Sequence, residues 1–205
     1  MVKILNTLIL TWIILQTGSN VQDGRLLFNG VSLDNWQVID YEGQGAVSVT
    51  DSCIIIGKGE FISGIRWTDD FPTTNYEVIL DANRLAGSDF FCGITFPVKD
   101  SFLTLVLGGW GGSLCGLSCI DGYDAANNYT SKMFHFGNDK WWPIRLRVTD
   151  EKVEAWVQED KIVDFTIGNS NLSLRMEVET SIPFGITTWK TTGAIRNLKL
   201  LTLPE

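Results

Sequence analysis

Glu177 and Glu179 flank Val178 in Leu174-Arg175-Met176-Glu177-Val178-Glu179. On a strand, both carboxylates would share one face about 7 Å apart, near the separation used by paired acid-base carboxylates on glycosides. A charged outer strand face would give the same pattern. His135 is the sole histidine and sits in Lys132-Met133-Phe134-His135-Phe136. Alternation turns Phe134 and Phe136 to the core and leaves the imidazole free to give or take a proton, although an ordinary strand histidine would look the same. Arg84 and Asp89 bracket the turn Ala86-Gly87-Ser88. From a sheet edge Asp89 could supply a further catalytic carboxylate and Arg84 a substrate contact; a surface ion pair explains them equally.

Two loops offer binding groups. Gly108-Gly109-Trp110-Gly111-Gly112 surrounds one indole with glycines, which allow torsions and close approaches that other residues forbid. Trp110 held on such a turn could stack on a sugar ring, or could fold back onto the protein. Asp121-Gly122-Tyr123-Asp124, followed by Asn127 and Asn128, gathers oxygen ligands of the kind hard cations prefer. Asp121 and Asp124 are the candidate metal ligands and Tyr123 a candidate substrate contact. Calcium is the only cofactor suggested, and the spacing does not match the twelve-residue helix-loop-helix calcium loop. A solvated turn uses the same residues.

These groups must be positioned by strands. Ile144, Leu146 and Val148 alternate with Arg145, Arg147 and Thr149; Val153, Ala155 and Val157 alternate with Glu154, Trp156 and Gln158. Leu103, Leu105 and Leu107 repeat the pattern, as do Tyr76, Val78, Leu80 and Ala82. Period two with one apolar face marks antiparallel strands on a core. Turn signals recur at Asp34-Asn35, Glu42-Gly43, Gly57-Lys58-Gly59, Lys99-Asp100 and Asp150-Glu151, and no long stretch shows a capped 3.6 period. About a dozen strands exceed what one open sheet tolerates, so the expectation is an all-β sandwich of two antiparallel sheets over residues 25–203.

Composition narrows the partners. The 205 residues include 16 basic and 24 acidic side chains, a net charge of −8. A surface that tracks phosphates needs the opposite sign, which argues against nucleic acid and anionic membranes. Lys3 followed by the apolar run Ile4–Leu15, with small residues at Thr17-Gly18-Ser19, reads as an export signal over 1–19. That run is too short for a stable membrane span. The expected location is therefore periplasmic or extracellular. Cys53, Cys92, Cys115 and Cys119 allow three pairings, and sequence does not choose among them; small buried side chains are the simpler reading. Asn128-Tyr129-Thr130 and Asn171-Leu172-Ser173 fit the glycosylation acceptor pattern.

Leu26-Leu27-Phe28-Asn29-Gly30, then Leu33 and Trp36, resembles the opening of the 3-keto-disaccharide hydrolase domain family. Later features fall in a similar order: Asn75-Tyr76-Glu77-Val78, Phe91-Cys92-Gly93-Ile94, Trp141-Trp142-Pro143-Ile144-Arg145 and Ile195-Arg196-Asn197-Leu198. The resemblance implies a concanavalin A-like jelly roll, secretion, and work on glycosides oxidised at the third carbon. It implies a general base to remove the proton at carbon two, a donor or metal for the enolate oxygen, and an acid for the leaving group. Many members carry Asn-Ser-Gly-Ile, a nearby Arg, and a strand with alternating Glu, Gln and Asp. Here those elements fall on Phe91–Phe96, without Asn-Ser or Arg, and on Ser101–Leu107, without an ionisable group, so none of these roles transfers. Three functions follow: an enzyme cleaving 3-keto-disaccharides by elimination and hydration, a non-catalytic oligosaccharide- or glycoside-binding sandwich, or an envelope interaction domain.

Overall fold

The computed structural model describes residues 24–204; the expected export signal at 1–19 lies outside the described residues. Among the described residues fifteen strands, numbered in chain order, form two antiparallel sheets. In the first, β13 (Asp160–Thr166), β12 (Lys152–Val157), β11 (Trp141–Val148), β6 (Tyr76–Ala86), β15 (Thr192–Thr202), β4 (Cys53–Ile56) and β3 (Val47–Thr50) lie in that order, with β1 (Arg25–Leu26) also on β15. In the second the order is β10 (Lys132–Met133), β9 (Leu114–Ser118), β8 (Ser101–Gly109), β7 (Cys92–Val98), β14 (Gly185–Trp189), β5 (Ile62–Trp67) and β2 (Trp36–Val38). This is the two-sheet antiparallel sandwich expected from the alternation, in the jelly-roll form that the resemblance implies.

The inner faces are those read from period two. Val78, Leu80 and Ala82 of β6 and Ile144, Leu146 and Val148 of β11 meet Ile94, Phe96, Leu103, Leu105, Leu107 and Ile186 across the sandwich, all buried in one core. Full burial of a side chain of this size contributes about 1.5–3 kcal/mol. Aromatic edges close one end: Trp36 and Trp67 lie 5.3 Å apart, and Phe184 stacks on Phe71 at 4.4 Å. The opening motif serves this closure. Leu27 and Phe28 are buried, Trp36 Nε1 donates to the Leu27 carbonyl at 2.7 Å, and Asn29 Oδ1 accepts from the backbone of Val31 and Ser32.

Two stretches depart from the strand reading. Leu174–Glu179 is not a strand: Met176–Ser181 forms a short 3-10 helix, so acid-x-acid here is a helical turn and not a shared face. Phe134–Phe136 runs beyond β10, outside the ladder, and Phe134 and Phe136 pack on Trp142 at 5.4 and 5.5 Å. His135 consequently points into solvent. The four cysteines are free and buried, and burial pushes the Cys92 thiol well up and the Cys115 thiol to about 11. Among the described residues, no helix is long and apolar enough to cross a membrane.

Candidate functional site

The outer face of the seven-stranded sheet carries unusually small and hydroxylic side chains. Register places Thr95 beside Thr104 and Thr104 beside Ser118, while Gly93 pairs with Val106 and Val106 with Gly116. Outward strand positions should meet water, yet Thr95, Thr104, Val106 and Ser118 are buried. Two connecting segments cover them. Residues 119–131 cross β9 so closely that a Cβ on Gly116 would lie 3.1 Å from the Ala125 carbonyl oxygen and 3.2 Å from that of Thr130. Residues 168–184 lie beside that segment, joined by Cys119 N to Ser173 O at 2.7 Å and Asp121 N to Asn171 O at 2.8 Å. The 3-10 helix then packs on β5 and β14, with Val178 buried.

Between these segments and the sheet is a cavity of about 320 Å³. Thr104, Val106, Ser118 and Ile62 come from the sheet; Asp124, Arg175, Glu177 and Val178 come from the covering segments; Asp89, Phe90, Trp110 and Trp189 stand at the strand ends. The volume is at the lower end of the range for small-molecule sites. Its mixed lining suits a ligand with apolar C–H faces and many hydroxyls.

Arg175 organises the charge. Its Nε and one terminal nitrogen meet both oxygens of Glu177 at 3.3 and 2.8 Å, and the other terminal nitrogen meets Asp124 at 3.2 Å. A guanidinium has five N–H groups, so two remain for other acceptors. The Arg175 hydrogen bonds hold the Glu177 carboxyl below its ordinary pKa, and Glu177 in turn raises that of Arg175. Because the folded pKa of Glu177 is depressed, its contribution to stability is complete above the unfolded value and disappears as pH falls through the folded one. In thermal melts taken from about pH 5 down to about pH 3, Glu177→Gln is therefore expected to lose less stability than the parent. Parallel acid limbs would contradict this pairing.

Asp89 is held differently. Its Oδ1 accepts from Phe90 N at 2.8 Å and its Oδ2 from Gly111 N at 3.4 Å. Among the described residues no cation lies within ion-pair distance of it, while the more distant Arg84 still feels its charge. Asp89 is thus a half-buried carboxylate at the cavity, oriented by backbone and not neutralised by direct contact.

The structure therefore gathers Asp89, Trp110, Asp124 and Glu177 around one cavity and leaves the other expected residues outside its lining. Arg84 does not line the cavity. It is 4% exposed and donates to the carbonyls of Gly108, Gly112 and Phe136 at 3.3, 2.7 and 3.4 Å. Burial lowers its pKa. Gly108 and Gly112 have φ of +75° and +113°, and a Cβ on either would press on the guanidinium, which explains two of the four glycines around Trp110. Trp110 itself has φ +49° and is 48% exposed. His135 and Glu179 are exposed and do not line the cavity.

The calcium candidates Asp121 and Asp124 have their oxygens engaged within the loops. Asp121 Oδ1 accepts from Asn171 N, while Asp124 accepts from Ala126 N, Asn127 Nδ2 and Arg175, so these oxygens fix loops. No group of three His, Cys, Asp or Glu suited to a metal occurs among the described residues. Tyr123 is 60% exposed, outside the cavity lining. The Asn128 amide is engaged with the carbonyls of Leu117, Tyr123 and Asp124. The sequence reading passed over Phe90, Trp189, Thr104 and Ser118, and treated Arg175 only as a neighbour of the glutamates. Trp189, three positions beyond core Ile186 on β14 and so on the opposite face, carried a usable signal.

A two-sheet jelly roll with a covered cavity on one outer face places the molecule among concanavalin A-like sandwiches. Its sequence is more specific: residues 23–201 match the family described as the 3-keto-alpha-glucoside-1,2-lyase-like domain, and the chain belongs to that family. Among solved structures, it is similar to a candidate glycosyl hydrolase from Parabacteroides distasonis, with 16% identity, 88% of this chain and 94% of that one covered, and a TM-score of 0.57. It is similar to carbohydrate binding module CBM66 from Bacillus subtilis, with 10% identity, coverage of 82% and 96%, and a TM-score of 0.54. Domain 4 of AbnA, an extracellular arabinanase from Geobacillus stearothermophilus in complex with arabinotriose, gives 12% identity, 82% coverage of each chain and a TM-score of 0.52. At such identities the likeness is one of fold. No curated protein matches the sequence.

Proposed function

We propose that the cavity binds a glycoside. The observation that carries this reading is the convergence of two indoles and a phenyl ring, Trp110, Trp189 and Phe90, with Asp89, Asp124, Glu177 and Arg175 on one concavity. Aromatic faces suit the C–H faces of a sugar ring, and carboxylates with a guanidinium suit its hydroxyls. Calorimetric titration with neutral and 3-keto glycosides tests it. Binding is expected in the parent and should weaken at least about tenfold in Trp189→Ala, a loss of about 1.4 kcal/mol. Absence of heat across both sugar classes would overturn the proposal.

Family membership supports a finer reading, in which the bound glycoside carries a ketone at carbon three and is cleaved. Asp89 then removes the proton at carbon two, and the C–H electron pair passes into an enolate whose oxygen carries the charge. Arg175 has N–H groups left to receive that oxygen. As the ketone re-forms, a double bond develops between carbons one and two and the glycosidic C–O bond breaks. The departing oxygen takes a proton from protonated Asp89 or from water, and addition of water across the double bond completes hydrolysis. Glu177 fits an orienting role better than that of an acid, because Arg175 favours its ionised form.

A further inference from the structure

The cavity forms part of a longer row of aromatic side chains. Trp110 follows β8, Phe90 precedes β7, Trp189 ends β14 and Phe61 precedes β5, and these four strands are consecutive neighbours in the sheet. Their register puts all four residues at the same end: Cys92 pairs with Leu107, Thr187 with Gly93, and Trp189 with Ile62. Neighbouring strands lie about 4.8 Å apart, so the row covers three spacings, about 14 Å. Trp189 lies 6.4 Å from Phe90 and 5.8 Å from Phe61, centroid to centroid. Trp110, Phe90 and Trp189 line the cavity, whereas Phe61 lies past it and is 51% exposed.

An exposed aromatic row continuous with a cavity marks an interaction site more often than chance. At the far end of the row Lys190 holds its ammonium 4.8 Å from the Phe61 ring as a hydrogen-bond donor. We propose that this row is a saccharide ledge, and that the ligand is a neutral oligosaccharide with one unit in the cavity and the next over Trp189 and Phe61. This inference rests on the cavity binding a glycoside and adds the length of the chain it accepts. Trp189 touches Phe90 inside the cavity lining and Phe61 past it, so a second unit joined to a sugar at Trp189 lies within reach of Phe61, and the occupant of the ledge is the same chain.

The test is a glycan array containing single sugars and successively longer chains, followed by calorimetry on the strongest chain and its single-unit counterpart. Phe61→Ala and Phe61→Trp are compared with the parent after thermal melts show both variants folded. The expected result is affinity that rises with the second unit in the parent, a rise reduced about three- to tenfold in Phe61→Ala and retained in Phe61→Trp, with single-unit affinity unchanged. A rise that survives Phe61→Ala, an equal loss for single units, or no rise in the parent would overturn the ledge while leaving the cavity reading intact. Silence from every glycan would remove the cavity reading and the ledge together.

Discussion

Replacing Arg84 by Met is expected to destabilise the protein by about 2–4 kcal/mol, because three carbonyls lose a charged donor in a buried place. The guanidinium is the only side-chain group among the described residues that donates to Gly108, Gly112 and Phe136 at once, and it lies 5.0 Å over the Phe91 ring. A methionine fills the volume but satisfies none of those oxygens. For a domain of this size the melting temperature should fall roughly 2–4 °C per kcal/mol. The β8–β9 turn would also lose its anchor, so sugar binding should weaken although Arg84 does not reach the cavity. An unchanged melting temperature would show that solvent or backbone rearrangement replaces the arginine, and Trp110 would then need another explanation for its placement.

The second large effect concerns rate. If the bound glycoside is a 3-keto sugar cleaved by elimination, Asp89→Asn should lower turnover by at least about a hundredfold, the usual loss on removing a general base. Asparagine can still accept from Phe90 N or Gly111 N, so binding and stability should change little. The informative readout is exchange of the proton at carbon two with deuterated water. It should be catalysed by the parent and absent in the variant. Equal exchange in both would take Asp89 out of the mechanism, and no exchange in either would favour a binding module on this fold.

The sandwich was legible because burial on one face of a strand writes itself as period two; β6, β8, β11 and β12 follow the alternation read from Tyr76, Leu103, Ile144 and Val153. The 3-10 helix was not. Acid-x-acid in Glu177-Val178-Glu179 fits a strand locally, and only packing of Val178 against the sheet decides otherwise. The cavity was half legible for a related reason. Asp89 and Trp110 stand out as functional types beside glycine-rich turns, but their convergence with Asp124, Arg175 and Glu177 depends on two long segments folding back over one sheet. Nothing local in a chain records such a return.

The departures from the family pattern also acquire a physical meaning. The strand that lacked ionisable groups is β8, whose Thr104 and Val106 line the cavity floor, and the carboxylates of this chain enter from loops and the 3-10 helix instead. The burial of Arg84 was not legible because an arginine beside a turn is usually solvated; here it reaches across the sandwich to the opposite sheet's turn.

The most direct test of the cavity as a glycoside site is nuclear magnetic resonance of the tryptophan indole N–H groups during titration with the best-binding sugar. Trp110 and Trp189 line the cavity, whereas Trp141 and Trp156 stand on the other sheet against Arg196 and Arg145. Signals of Trp110 and Trp189 should move in a saturable way while those of Trp141 and Trp156 stay in place. Saturable shifts confined to Trp141 and Trp156 would put the sugar on the opposite face and contradict the account.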